Sequence, residues 1–504
     1  MKRRKRDELE EYVDSKIDGE ELRFEDLKVD PRIYEEGSRE HHKSKTWVRK
    51  ASIVTASCVI GFIVLLVISP FTKFEKRDVL YSAHRVHGSF DQKSLEALNE
   101  VEKPMLESSY EAVYECSLPE EYIVAQNDFA YQIYKGVNWK AGDTGVISPV
   151  SLYRLLDNLS LCSDDASTLS LLSGALGGSW LREFNRTHFY RGLNWLSGEN
   201  GNEMRDAIFL DRDFGEVSPN FLSDMTKNYI QAYALDFENE NDVSALLSWM
   251  QGNSLDPDLF SGDDLPKFDT GTAFFLANVF NFNVRWGSVF KTEDNEVAPF
   301  YLSNGEEKDV TYMNHLVLDV KLYDYESYVS AYDRYYGGGT IQYLIPKSVN
   351  ENILDLLSDE GRNFLIEDGT KEYIPEQGDG WMETVLKIDY SVPKFESIAK
   401  VDMKEVLTRM GLGDLFDWKK VRFNRPFGDR GASISVETAK QINHISFRED
   451  GTTATSLSFF SMAAGAPAPA ETDLWKVELN QPYVYVIRDG RGVPLYIGYN
   501  GSGD

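Results

Sequence analysis

Between Gly451 and Ala470 the chain runs for 20 residues (GTTATSLSFFSMAAGAPAPA) without a charge, although 27% of all residues are Asp, Glu, Lys or Arg. With positions treated as independent, any one given window of this length is charge-free by chance about 0.2% of the time. It is rich in Thr, Ser and Phe and reads as strand-forming. It lies between two other strand-like stretches, ISVETAKQINHISFRE before it and LNQPYVYVIRDGRGVPLYIG after it. The Ala466-Pro467-Ala468-Pro469 end cannot join a sheet interior, because proline has no N–H to give a ladder, so it reads as exposed loop. An exposed, uncharged, strand-prone segment invites edge pairing and aggregation. Its retention implies a use.

The alternation of side chains suggests that use. In extended chain Thr452, Ala454, Ser456 and Ser458 share one face, all small, while Thr453, Thr455, Leu457 and Phe459 share the other. A strand with one small-residue face can slide between two existing strands without overpacking the core beneath them. The segment reads as a strand awaiting insertion.

This pattern resembles the hinge and reactive loop of the serpin family, whose loop enters a sheet as an added strand. The likeness is carried by Glu449-Asp450-Gly451-Thr452 at the hinge, and beyond the loop by Asn480-Gln481-Pro482-Tyr483 and Ile487-Arg488-Asp489. Ser148-Pro149-Val150-Ser151-Leu152 is similar to the family's shutter motif at the start of a buried helix. Asn278-Val279-Phe280-Asn281-Phe282, with Trp286 eight residues after Asn278, is similar to the breach strand and its tryptophan. Ala298-Pro299-Phe300 with Asn304-Gly305 matches a family hairpin, and Val392-Pro393-Lys394-Phe395 with Val401 to Phe416 matches the strand and helix before the loop. The motifs stand in order over residues 118–500.

The resemblance implies an α+β fold: a large central, mostly antiparallel sheet, further sheets, about eight to nine helices and an exposed reactive loop. It implies an inhibitor, not an enzyme. A serine or cysteine protease attacks the loop and forms an acyl-enzyme, and the freed loop inserts into the central sheet and distorts the protease before deacylation. The uncleaved fold is then metastable. Glu449, Asp450, Gly451, Thr452, Thr453, Ala454, Thr455 and Ser456 form the expected hinge. Thr452 is expected to be among the first residues to enter, with its side chain toward the core, and a substitution there to leave the native fold little affected. Counting from Gly451 puts the cleaved bond at Gly465–Ala466, and counting back from Asn480-Gln481-Pro482 puts it at Glu471–Thr472. Ala466–Pro467 and Ala468–Pro469 are poor substrates for most serine proteases. The favoured span is Met462, Ala463, Ala464 and Gly465, where small residues suit elastase-like or subtilisin-like pockets. Gln441 stands where many members have a shutter histidine, and His444 follows three residues later. Leu247, before Trp249, replaces a common asparagine.

Local patterning predicts helices over Ala125–Tyr134, Leu152–Leu161, Leu222–Tyr233 and Val243–Met250. Strands are predicted over Phe274–Phe282, Gln342–Ile345, Val385–Val392 and Tyr483–Arg488, with Val493–Tyr499 closing a hairpin across Asp489–Gly492. Helices early and strands late again suggest α+β.

Ahead of this domain, Ala51 to Phe71 is 21 residues without a charge, bounded by Arg49-Lys50 and Lys73, and that length spans a bilayer. No Ala-x-Ala site follows, which disfavours a cleaved signal peptide. Lys43, Lys45, Arg49 and Lys50 on its N-terminal side favour a cytoplasmic N-terminus and an extracellular domain. The expected organisation is a polar tail (1–50), a membrane span (51–71), a stalk (72–117) with a helix over Ser94–Tyr114, and the large domain (118–504). The charge-rich tail is expected to be disordered or loosely helical. It holds 14 residues of each sign, so the net charge of −29 falls on the rest. A domain this acidic does not attract nucleic acid or anionic lipid by charge. A monomer is expected.

Enzyme signatures are missing from the sequence. Cys58, Cys116 and Cys162 form no disulfide framework or metal spacing, and Cys116 and Cys162 either pair or remain free thiols. The seven histidines are scattered, with His84 and His87 in the stalk, and none lies in HExxH. Ser148 lacks a Gly-x-Ser-x-Gly elbow. Gly337-Gly338-Gly339 precedes Thr340 and reads as a turn, not a phosphate loop. Asp164-Asp165 and Asp263-Asp264 read as loop or cap residues. No cofactor or metal is implied. Two functional readings follow: a membrane-anchored inhibitor of extracellular proteases, or a non-inhibitory binding or scaffold module at the cell surface whose loop never inserts.

Overall fold

The structure is a computed structural model that describes residues 79–81, 118–184, 202–318, 320–336, 338–349, 351–375, 384–428, 430, 434–452 and 472–504. The expected tail, the span, the stalk apart from 79–81, and the loop from 453 to 471 lie outside them. Among the described residues no helix is long and apolar enough to cross a membrane.

The helices are α1 (Glu120–Val137), α2 (Pro149–Ser160), α3 (Ala166–Ala175), α4 (Ser179–Phe184), α5 (Pro219–Lys227), α6 (Glu240–Asn253), α7 (Ile353–Glu360), α8 (Asn363–Ile366) and α9 (Met403–Leu407). The first strands are β1 (Val79–Tyr81), β2 (Thr144–Ile147), β3 (Asn202–Asp211), β4 (Ile230–Leu235), β5 (Phe274–Phe282) and β6 (Val284–Arg285). Next come β7 (Glu296–Tyr301), β8 (Glu307–Leu318), β9 (Leu322–Asp324), β10 (Tyr328–Arg334), β11 (Thr340–Pro346) and β12 (Val385–Pro393). The last are β13 (Glu396–Asp402), β14 (Lys440–Arg448), β15 (Gly451–Thr452), β16 (Thr472–Glu478), β17 (Tyr483–Arg488) and β18 (Pro494–Asn500).

Local chemistry sets several boundaries. Ser148 caps α2, accepting from the Ser151 N–H, and Pro149 supplies the preset first turn. Ser218 and Pro219 repeat the device at α5. Asp165 caps α3, and hydrogen bonds from Ser167 and from the Thr168 amide and hydroxyl hold its carboxyl down to about 2. Asp264 accepts from Ser261 in a short capping box. Both acidic pairs thus supply a cap. One predicted helix needs correction. The span Leu222–Tyr233 divides: α5 ends at Lys227, Tyr229 takes a left-handed φ of 59°, and Ile230 opens strand β4. The apolar spacing carries on through the break, but Ile230 and Tyr233 are buried in a ladder parallel to β3.

The fold is α+β. A six-stranded antiparallel sheet runs β2-β18-β17-β11-β10-β9, with every residue of β17 buried. A second sheet, β16-β12-β8-β7, holds β16 parallel to β12. Two further four-stranded sheets, β1-β4-β3-β5 and β13-β14-β15-β6, meet at one end, where β5 passes through Asn283 into β6. No ladder joins β5 to β14 among the described residues. Helix α2 packs on β5 and β18. Helix α6 covers the opposite face, where Trp249 joins Phe209, Tyr233 and Val279 in a cluster of their own. Cys162 is a buried free thiol, and burial raises its pKa.

Candidate functional site

The unjoined edges of β5 and β14 flank a cavity of about 730 Å³. Ser148, the cap of α2, and Ser151 and Leu152 within it line the cavity, which reaches Thr452 and, farther along, Met403 and Phe416. Two hinge residues stand at its mouth. β15 is a two-residue wedge: Thr452 lies opposite Phe447 of β14 and opposite Val284 of β6, and Gly451 lies opposite Arg448 and Arg285.

Close approach makes Gly451 necessary. A Cβ there would meet the Val284 carbonyl oxygen at 2.4 Å and the Arg285 Cα at 2.9 Å, both backbone atoms that cannot swing away. Thr452 is 1% exposed, and its hydroxyl shares a hydrogen bond of 2.8 Å with the Tyr335 hydroxyl. Trp286 stacks on Tyr335 at 4.9 Å and donates through Nε1 to the Arg448 carbonyl at 2.7 Å. Before the wedge, the Glu449 carbonyl accepts from the Phe290 N–H. The Glu449 carboxylate accepts from Lys394 at 2.9 and 3.0 Å and from Asn295 at 2.7 Å. Burial alone would raise this carboxyl, but the Lys394 and Asn295 hydrogen bonds outweigh it and hold the pKa below its usual value. The hinge is therefore seated in the intact chain, which changes one expectation. A substitution at Thr452 strikes the native fold as well as any inserted state.

Deeper in the cavity the two sides are fastened separately to the start of α2. On the β5 side, the Ser151 hydroxyl donates to Asn278 Oδ1 at 2.5 Å, and Asn278 donates to Asp206 at 2.8 Å. Asp206, on β3 and buried, also accepts from Arg154 at 2.8 Å and Asn158 at 3.0 Å. On the β14 side, Gln441 brackets Ser148, accepting from its N–H and donating to its carbonyl, each at 2.9 Å. Asn443 joins them by donating to Gln441 Oε1 at 3.2 Å and to the Val146 carbonyl at 3.1 Å. The Ser148 hydroxyl donates to the Leu495 carbonyl.

Of the sequence-predicted residues, Ser148, Ser151, Asn278, Gln441 and Thr452 thus line this cavity, Trp286 and Glu449 to Gly451 stand at its mouth, and Pro149 serves as the first residue of α2. Thr453 to Ser456 and Met462 to Glu471 lie outside the described residues. Thr472 begins β16, paired in parallel with Val385. Tyr335, Asp206 and Arg154 escaped the sequence reading. Tyr335 accepts from the Gly338 N–H through its carbonyl, and nothing in its sequence neighbourhood points to a residue 117 positions away. Among the described residues no cluster of His, Cys, Asp or Glu could hold a metal ion.

The sequence profile of the family described as "Serpin (serine protease inhibitor)" matches residues 124–500. A serine protease inhibitor of Rattus norvegicus is 24% identical over 382 residues, which are 72% of this chain and 85% of that protein. The leukocyte elastase inhibitor of Xenopus tropicalis is 25% identical over 386 residues, 71% of this chain and 93% of its own. The native state of tengpin, a thermophilic serpin, is similar with a TM-score of 0.62 at 20% identity, over 76% of this chain and 95% of that one. With the profile matching most of its length and the fold in agreement, this chain belongs to the serpin family of protease inhibitors, which are not themselves enzymes.

Proposed function

We propose that this chain is a membrane-anchored inhibitor that traps extracellular serine proteases by loop insertion. The observation that carries the reading is the seating of Gly451 and Thr452 between β14 and β6, because it fixes a register. Continued downward, that register sets Ala454 between Ile445 and Phe282, an apolar pair. Ser456 falls between Asn443 and Phe280. Ser458 falls between Gln441 and Asn278, whose amides offer its hydroxyl both donors and acceptors. Each inward residue is small, and Ala454 and Ser458 meet neighbours of their own polarity while Ser456 meets one polar and one aromatic side chain, so the strand enters without overpacking.

The start of β16 bears on the cleaved bond. A protease binds several extended residues on both sides of the bond it cuts. Thr472 and Asp473 are already paired to β12, which disfavours Glu471–Thr472 and favours Met462 to Ala466. Small residues there suit an elastase-like or subtilisin-like pocket, and one similar protein is named an elastase inhibitor. The uncharged stretch 51–71 and its basic N-terminal flank support a single-pass anchor with the inhibitory domain outside the cell.

The test is to mix full-length protein with subtilisin and with a neutrophil-type elastase, then boil in detergent and run a gel. An adduct of protease and chain is expected, with the chain cut between Met462 and Ala466. Cleavage without an adduct, by both enzymes, would favour the surface binding module instead.

A further inference from the structure

Behind the hinge, His315 of β8 and Asp333 of β10 face each other in the core, with side chains 4% and 1% exposed. His315 Nδ1 lies 2.9 Å from the Ser288 carbonyl, which can only accept, so Nδ1 carries a proton. Nε2 lies 2.9 Å from Asp333 Oδ2. These two atoms are not aligned for a hydrogen bond, and neither has another partner among the described residues, so charge alone joins them. The other Asp333 oxygen accepts from the Arg334 N–H at 2.7 Å. The Phe290 ring stacks on the imidazole with centroids 3.6 Å apart, and the Tyr390 ring of β12 lies 5.8 Å away. Burial foremost, with the Asp333 charge adding to it, raises the hydroxyl pKa of Tyr335, of Tyr343 on β11 and of Tyr390, so all three stay neutral. On the hinge side, Glu449 and Lys394 are paired with each other. His315 and Asp333 are left as the titrating pair.

The contact attracts only while the imidazole holds its second proton. Loss of that proton sets a nitrogen lone pair against a carboxylate oxygen at 2.9 Å, buried where repulsion is poorly screened. The imidazole must then shift, and Phe290 with it. Phe290 reaches the hinge in two ways: its N–H donates to the Glu449 carbonyl, and its ring meets Trp286 at 5.3 Å. Trp286 in turn stacks on Tyr335, whose hydroxyl holds Thr452. A change at His315 therefore arrives at both ends of the wedge. The attraction is present on the acid side and is lost as pH rises.

We propose that His315, through its charge contact with Asp333, is a positioning residue that seats the hinge while protonated and lets it loosen as pH rises, making protease trapping pH-dependent. The trapping half rests on the insertion reading above. The test uses full-length wild type, His315→Gln, Asp333→Asn and, as a control for the other described histidine on the cavity, His444→Gln. Two quantities are followed across the range in which histidines titrate, about pH 5 to 8. One is protection of the Thr452 amide, corrected for the intrinsic pH dependence of exchange. The other is the share of subtilisin-cleaved chains that end as adduct, which cancels the pH dependence of the protease itself. In wild type and His444→Gln, Thr452 protection should fall roughly threefold to tenfold as pH rises, the effect of one misaligned charge contact. The adduct share should fall with it. In His315→Gln and Asp333→Asn both quantities should be nearly flat. A flat wild-type profile, a profile that survives in His315→Gln, or one that vanishes in His444→Gln would overturn the switch. The wild-type and His444→Gln profiles decide the matter even where the two pair variants fail to fold. A pH-dependent seat without any adduct would leave the switch standing and sink the inhibitor reading. Adducts with a pH-independent seat would do the reverse.

Discussion

Glu449 and Lys394 meet at the mouth of the cavity, with both carboxylate oxygens within 3.0 Å of the lysine nitrogen. This pair ties the residue two positions before the wedge to the turn between β12 and β13. It fixes where the loop departs and so sets the register of everything after it.

Because the folded pKa of Glu449 lies below its usual value, its pair stabilises the protein above the ordinary carboxylate range. That contribution fades as pH falls through the folded value. Glu449→Gln should cost about 1 kcal/mol near neutral pH, a figure kept small because water screens the lysine. The cost should shrink in acid, where the wild-type carboxyl is protonated. Urea titrations of both proteins across the acid range check this; a pH-independent difference would contradict it.

Gly451→Ala places a methyl against the Val284 carbonyl, so β15 should leave β6. Amide exchange at Thr452 should quicken at least tenfold, while exchange in β17 stays unchanged. The yield of trapped protease should fall. Unaltered protection at Thr452 would show that the backbone yields where we expect the wedge to.

Thr452→Arg buries a guanidinium beside Tyr335 and forfeits the shared hydroxyl bond. A loss on the order of 3 kcal/mol in the intact protein is expected, since an unpaired buried charge is costly. Trapping should fail as well. Thr453→Arg, on the opposite face, should do much less. The comparison needs melting curves and adduct yields for both variants, and equal damage from the two would show that the faces are assigned wrongly.

Gln441→Ala removes both amide contacts to the Ser148 main chain, leaving its buried N–H without that partner and its carbonyl with the Leu152 N–H alone. The expected cost is about 2 kcal/mol. Gln441→His should recover part of it, because an imidazole can still engage one of the two groups. Chemical denaturation reads this directly; an alanine variant as stable as wild type would mean the bracket contributes nothing.

The sequence revealed most where the signal is local. Phe274 to Phe282 is a short run rich in aromatic and aliphatic residues and forms β5 within those bounds, and Gly451 and Trp286 sit in short motifs whose spacing is itself the signal. Leu222–Tyr233 misled because an apolar spacing of three and four residues runs on past Asn228. Only the ladder with β3 reveals Ile230 as the start of a strand. The polar partners were out of reach for a different reason. Ser151 and Asn278 are 127 positions apart, and Tyr335 and Thr452 are 117 apart. Such pairs are made by the fold, and no local pattern in either segment names the other.

The central claim is that the loop becomes a strand between β5 and β14. Hydrogen exchange on the full-length protein before and after the loop is cut by subtilisin tests it most directly. If the cut loop inserts, amides on the facing edges of Phe274–Phe282 and Lys440–Arg448 gain partners. Their exchange should slow by orders of magnitude, and melting should rise by roughly 10 °C or more, as expected for an added buried strand. Unchanged exchange along both edges after complete cleavage would contradict the account.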